Sequence, residues 1–287
     1  MVAVAAVAAA FLLRPRGLPP APLHPPGLVA RPPRHAPRAE AEAVAAPNAS
    51  APAVHVPPAS AAARVDGPPR VAIVIDDLGD SLEAARAVLA LEPPVTMAVI
   101  PFRPDSARIA AAAVRGGREV ILHLPLEPER ETEMGDAPGF LRTGMSADGL
   151  ERQLQADLSA VPYIVGVNGH MGSRFTQDRA AMERLLVALR DRGLFFLDSL
   201  TTPASVAAAT AAHVGVPFAE RAVFLDHDPS AAAIARALGE LDELARTRRE
   251  VIAIGHPHAT TVAALAPWLQ RAAAEGIRIV PASALVR

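Results

Sequence analysis

Residues 71–79 read Val-Ala-Ile-Val-Ile-Asp-Asp-Leu-Gly. Five apolar residues, four of them β-branched, have the composition of a strand buried on both faces. Such a strand runs into two adjacent carboxylates, Asp76 and Asp77, only at a cost unless the acids have a partner. The same arrangement recurs down the chain. Short β-rich runs at 71–75, 95–100, 119–123, 164–167, 194–197, 222–225, 251–254 and 277–280 alternate with segments of helical period at 81–91, 105–115, 147–160, 178–192, 205–213, 230–248 and 260–274. Gly116, Gly193 and Gly276 stand where helix-terminating glycines belong. Repeated βα units with near-continuous apolar strands predict an α/β fold, a (β/α)7-8 barrel closed or nearly closed, with a doubly wound open sheet as the alternative.

Polar residues collect at the predicted strand ends. Asp76 and Asp77 follow the first strand, His123 and then Glu127 the third, and Asn168 and His170 lie in "GVNGHMGS" after the fourth. Asp198-Ser199 ends the fifth, Asp226-His227 the sixth, and His256 and His258 lie in "IGHPH" at the seventh. In a βα-barrel the C-terminal strand ends open onto one face, so these residues are expected at one mouth. Each taken singly has an ordinary reading: a loop histidine, or, for Asp80-Ser81, a helix cap. Jointly they predict a site. His213, His227 and His258 are expected outside it, as a helix-end residue, a loop residue between two acids and a residue at the approach to a helix.

In this order, "IDDLG", "HLPLEP", "GVNGHMGS", "LDSLTT" and "IGHP" resemble the divergent polysaccharide deacetylases, a branch of the NodB-type carbohydrate esterase fold, over about residues 69–287. The resemblance implies that Asp76 is the general base and Asp77 a metal ligand, matching the two acids of the family's T-F-D-D-G motif. The family's H-[ST]-x-x-H motif becomes His123-Leu-Pro-Leu-Glu127, so its second histidine is replaced. The third ligand is then either Glu127 or His170. Asp77, His123 and His170 form the preferred set, because two histidines and a carboxylate suit a divalent cation, zinc above others. His256 resembles the family's general acid, Asn168 and Asp198 are supporting residues, and Asp198 is a candidate to orient a histidine. The R-x-P-[YF] motif has no counterpart. The implied activity is removal of N-acetyl groups from an amino-sugar polymer. A deacetylase-fold binding protein without activity, acting in envelope or cell-wall assembly, is the alternative that the altered motifs suggest.

Composition narrows the chemistry further. The 287 residues carry a formal charge of −2 and no basic run, which gives no footing for a nucleic-acid partner. Cysteine and lysine are both absent, excluding thiolate and Schiff-base mechanisms. Fifteen of the 29 prolines fall in residues 1–70. Residues 14–69 therefore read as an extended Pro/Ala-rich linker, and the domain is expected over residues 70–287. The apolar run at 1–13 resembles a truncated signal or membrane-anchor segment, too short to span a bilayer. A periplasmic or other extracytoplasmic location, tethered through the N-terminus, is the corresponding expectation.

Overall fold

The computed structural model describes residues 67–134 and 138–287. The predicted leader at 1–13 and nearly all of the predicted linker lie outside the described residues. The described chain alternates β1 (Arg70–Leu78), α1 (Leu82–Leu89), β2 (Thr96–Val99), α2 (Ser106–Arg115), β3 (Val120–Leu126), α3 (Ala147–Ala160), β4 (Gly166–Met171), α4 (Arg179–Arg190), β5 (Phe195–Asp198) and α5 (Ala207–Val214). It continues through β6 (Phe218–Glu220), β7 (Val223–Phe224), α6 (Ala231–Arg248), β8 (Glu250–Gly255), α7 (Ala259–Ala274) and β9 (Arg278–Ile279). Among the described residues, no helix is long and apolar enough to cross a membrane.

All strand pairings are parallel, in the order β6-β5-β4-β3-β2-β1-β8-β7, with β9 pairing the start of β1. The two ends of this path, β6 and β7, are joined in sequence by only Arg221 and Ala222. Three Cα steps reach at most about 11 Å, so the sheet must curl until its edges nearly meet. These two residues show it: Arg221 donates its backbone N–H to Asp198 at the end of β5, and Ala222 donates to Ile252 in β8. The result is a curled, incompletely closed parallel barrel clad in helices, in agreement with the sequence expectation. Two strands differ from the prediction. The run at 222–225 shortens to β7 and is preceded by the unpredicted β6, while the run at 277–280 contributes only two ladder residues.

Strand alternation sorts the side chains into two populations. Val71, Ile73 and Ile75 of β1 pack outward with Val120, Leu122, Leu124 and Val167 into the large core beneath the helices. Ala72, Val74, Ile121, Phe195, Leu197, Ile252 and Ile254 fill the barrel interior. Continuing the inward parity beyond these residues gives Asp76, His123, Asn168, His170 and His256. Phe224 also packs against the interior cluster, so Asp226 falls on the same side. Asp198 does not, because it lies one residue past the inward Leu197 and shares the outward face of Phe196.

Candidate active site

Asp77 has the wrong parity for the interior and reaches the mouth by a backbone device. The β1–β2 register shifts between Ile75 and Leu78, and Asp77 adopts φ 56°. A non-glycine residue in the left-handed region is uncommon and strained. The bulge turns two consecutive carboxylates toward one space instead of opposite faces.

There Asp77 Oδ1 lies 3.2 Å from His123 Nε2 and 3.0 Å from His170 Nδ1, and the two ring nitrogens are 3.1 Å apart. The rings meet edge to face with centroids 4.9 Å apart. Asp77 Oδ1 is buried yet accepts no hydrogen bond of acceptable geometry. Three groups able to give an electron pair thus converge on one point, and neither nitrogen meets the carboxylate oxygen in hydrogen-bond geometry. Burial would raise the Asp77 carboxyl, but the two imidazoles outweigh it and hold the group well below the usual carboxylate range.

Asn168 fixes the partners of this cluster. Its Oδ1 lies 2.9 Å from His123 Nδ1, and its Nδ2 donates to Asp76 Oδ1 at 2.8 Å. With Asn168 accepting the Nδ1 proton, His123 Nε2 is the nitrogen that faces Asp77 and would exchange its proton for a cation. Register explains the contact, since β3 and β4 pair His123 with Asn168 and Pro125 with His170. Asp76 is buried at 2 % exposure, and that burial raises its pKa against the opposing pull of His123 and Asn168. Burial lowers His123, but the Asp76 and Asp77 carboxylates overcome it and bring its pKa up to about 9.

Across the mouth, His256 Nδ1 donates to Asp226 Oδ1 at 2.9 Å, and its Nε2 stands 3.7 Å from Asp77 Oδ2. Asp226 Oδ2 accepts from the His256 backbone N–H and from the Thr261 hydroxyl, both at 2.7 Å. A side chain at Gly255 would come within 3.3 Å of that oxygen, so glycine lets the His256 backbone approach. Burial works against the imidazolium, but the Asp226 hydrogen bond and the facing carboxylates raise the pKa of His256. Phe224 meets the His256 ring edge-on with centroids 5.4 Å apart, and the Arg221 guanidinium lies over the Phe224 ring, 4.8 Å from its centroid.

The structure thus brings together Asp76, Asp77, His123, Asn168, His170 and His256. It does not bring Glu127 or Asp198 into the same cluster. Glu127, the alternative ligand, accepts from the Thr143 backbone and hydroxyl at 2.7 and 2.9 Å and faces Arg174 Nε at 3.4 Å. It fastens the segment before α3 to the end of β3. Asp198, the candidate orienting acid, accepts instead from Leu200 N and the Ser205 hydroxyl at 2.9 and 2.6 Å, and so shapes the loop after β5. The carboxylate that orients a histidine is Asp226, to which the sequence reading gave no role; strand parity was the signal that separates the two acids. Trp268 of α7 is buried, away from the mouth, and donates its indole N–H to Asp242. Phe102, with φ 59° on the β2–α2 loop, is the exposed aromatic at this end of the barrel.

The donor set fits a divalent cation. Two histidines and one carboxylate are a common zinc combination, and the unsatisfied Asp77 Oδ1 between two ring nitrogens is the arrangement a cation would complete, displacing the proton that the flanking carboxylates draw to His123.

A curled parallel barrel carrying Asp and His at its C-terminal strand ends defines the architectural class, that of the NodB-like deacetylases. The match to the divergent polysaccharide deacetylase family spans residues 73–286, and the chain belongs to that family. It is 36 % identical over 217 residues to YibQ, an uncharacterised protein of Escherichia coli K12, covering 76 % of this chain and 67 % of that one. An uncharacterised protein of Haemophilus influenzae Rd is 35 % identical over 201 residues, 70 % of this chain and 71 % of its own length. A crystal structure of an uncharacterised protein from Agrobacterium tumefaciens C58 superposes with a TM-score of 0.73 at 30 % identity, covering 76 % of this chain and 89 % of that one.

Proposed function

We propose that this carbohydrate deacetylase-like protein is a metal-dependent hydrolase that removes N-acetyl groups from an amino-sugar polymer of the cell envelope. The observation that carries the reading is the unsatisfied Asp77 Oδ1 facing His123 Nε2 and His170 Nδ1 at 3.0–3.2 Å. Asp77, His123 and His170 would hold the cation, zinc on the character of its donors. When bound, it supplies Lewis acidity to the amide carbonyl and to the attacking water.

The chain's own residues supply the proton traffic. Asp76, raised by burial and fixed by Asn168, takes a proton from water as the new C–O bond forms. His256, held by Asp226, gives its Nε2 proton to the departing nitrogen as the C–N bond breaks, so that acetate and a free amine leave. The raised His256 pKa keeps that proton available near neutrality. The Pro/Ala-rich segment before residue 70 and the apolar run at its head fit a domain carried outside the cytoplasmic membrane on a tether, where such a polymer lies.

The test is metal content of the full chain beside His123→Ala, His170→Ala and Glu127→Ala, with acetate release from N-acetylated amino-sugar polymers. Tight metal lost with either histidine, kept without Glu127 and accompanied by acetate release supports the reading. A chain that takes up no metal through this triad and releases no acetate overturns it, in favour of a glycan-binding role for the same mouth.

A further inference from the structure

A second set of metal donors stands on the opposite wall. Asp226, His256 and His258 each offer an atom within 4.8 Å of the others. The two histidines flank Pro257, and their rings lie 5.7 Å apart at 37°. His258 is exposed and occupies the position before α7, where its side chain makes no cap hydrogen bond. Its ring is therefore uncommitted. Asp226 is buried and held from its other oxygen by Thr261 and the His256 backbone, the outer support that metal-binding carboxylates usually have.

We propose that Asp226, His256 and His258 form a second, weaker divalent-metal site, and that zinc bound there inhibits the enzyme. Binding replaces the Nδ1–H···Oδ1 hydrogen bond of the His256–Asp226 pair with a cation, and the Nδ1 proton leaves to solvent. That exchange costs a satisfied charge-assisted hydrogen bond, whereas the Asp77 cluster gives up none from its unsatisfied oxygen. The affinities are accordingly ordered, with the Asp77 cluster first. A cation held there also ties up the ring whose Nε2 stands 3.7 Å from Asp77 Oδ2, and so withdraws the acid proposed above from the reacting atoms. The inhibition rests on the acid role proposed above for His256; the binding does not.

The experiment is equilibrium dialysis of the full chain against zinc alone, for the wild type, His258→Ala and the His123→Ala/His170→Ala double variant. His258 is exposed and outside the proposed catalytic machinery, so its substitution leaves the fold and basal turnover intact. The wild type is expected to take up two zinc ions per chain. His258→Ala keeps the tight one and weakens the second by at least tenfold, the scale on which even outer-shell losses act. The double variant keeps the weak one. Where acetate release is measurable, excess zinc slows the wild type at least tenfold and spares His258→Ala. A wild type with one zinc that is lost in His258→Ala and kept in the double variant upholds this site while overturning the Asp77 triad. Unchanged zinc uptake in His258→Ala overturns the second site.

Discussion

Asp77 and Asp226 face histidines across one mouth and are held in opposite ways. Asp77 has an oxygen buried between two ring nitrogens with no aligned hydrogen bond, on a backbone strained into the left-handed region. Asp226 sits at a strand end with three donors satisfying its two oxygens. The same residue types therefore serve different ends. A carboxylate oxygen with no aligned donor between two imidazoles is prepared for a tight cation, while one saturated by donors orients an imidazole and keeps it protonated, and takes a cation only by giving up that hydrogen bond.

The strongest way to break this contrast is Asp77→Asn. The amide preserves shape but removes the charge that three imidazoles face, so tight zinc should be lost and acetate release should fall by about four orders of magnitude, the loss of both cation and positioning. Retained tight zinc, measured by dialysis, would mean that Asp77 is not a ligand. Asp226→Asn sharpens the other half. His256 loses its anionic partner, so turnover should fall on the order of 10²-fold, the usual worth of an acid, while the tight zinc stays. The sign of the pH effect follows from the raised His256 pKa: without Asp226 that pKa falls, and activity at high pH is lost earlier. An alkaline limb that does not move would remove Asp226 from the acid's support.

The fold was legible because its strands are near-continuous apolar runs and its helices carry their own caps, as at Ser81, Asp178 and Ser230, which accept from the third residue onward. Strand β6 was missed because two half-buried edge residues and the exposed Glu220 carry no apolar run. At the site, the residues could be found by position at strand ends, but two things were hidden. The choice between Glu127 and His170 depends on the β3–β4 register and on Thr143, and both are contacts between distant segments. The turn of Asp77 into the mouth depends on a bulge that breaks the two-residue period the sequence advertises. Asp198 and Asp226 could have been separated by that same period. Counting inward residues along β5 and β7 sets one acid outside and the other within.

Asp157 supplies the control, a buried acid oxygen without nitrogens gathered about it. It lies on α3, accepts one hydrogen bond from Gln153, and leaves Oδ2 unsatisfied, as Asp77 leaves Oδ1. With no imidazole to answer it, burial prevails and its pKa rises to about 7. An orphaned oxygen there calls for a proton instead of a cation. The folded-state pKa stands above the unfolded value near 3.8, so the folded state binds the extra proton between them. Stability from this group is complete below about pH 4 and is lost as pH rises through about 7. Asp157→Asn keeps the acceptor for Gln153 and cannot ionise. Denaturant unfolding should show the variant gaining on the wild type by about 2.5 kcal/mol between pH 5 and pH 8, since a tenfold difference in proton affinity between the folded and unfolded chain is worth about 1.4 kcal/mol and part of the loss has already occurred by pH 5. An unchanged difference across that range would mean that Asp157 ionises as freely in the folded chain as in the unfolded one, and an unsatisfied buried oxygen would no longer distinguish a cation's place from a proton's.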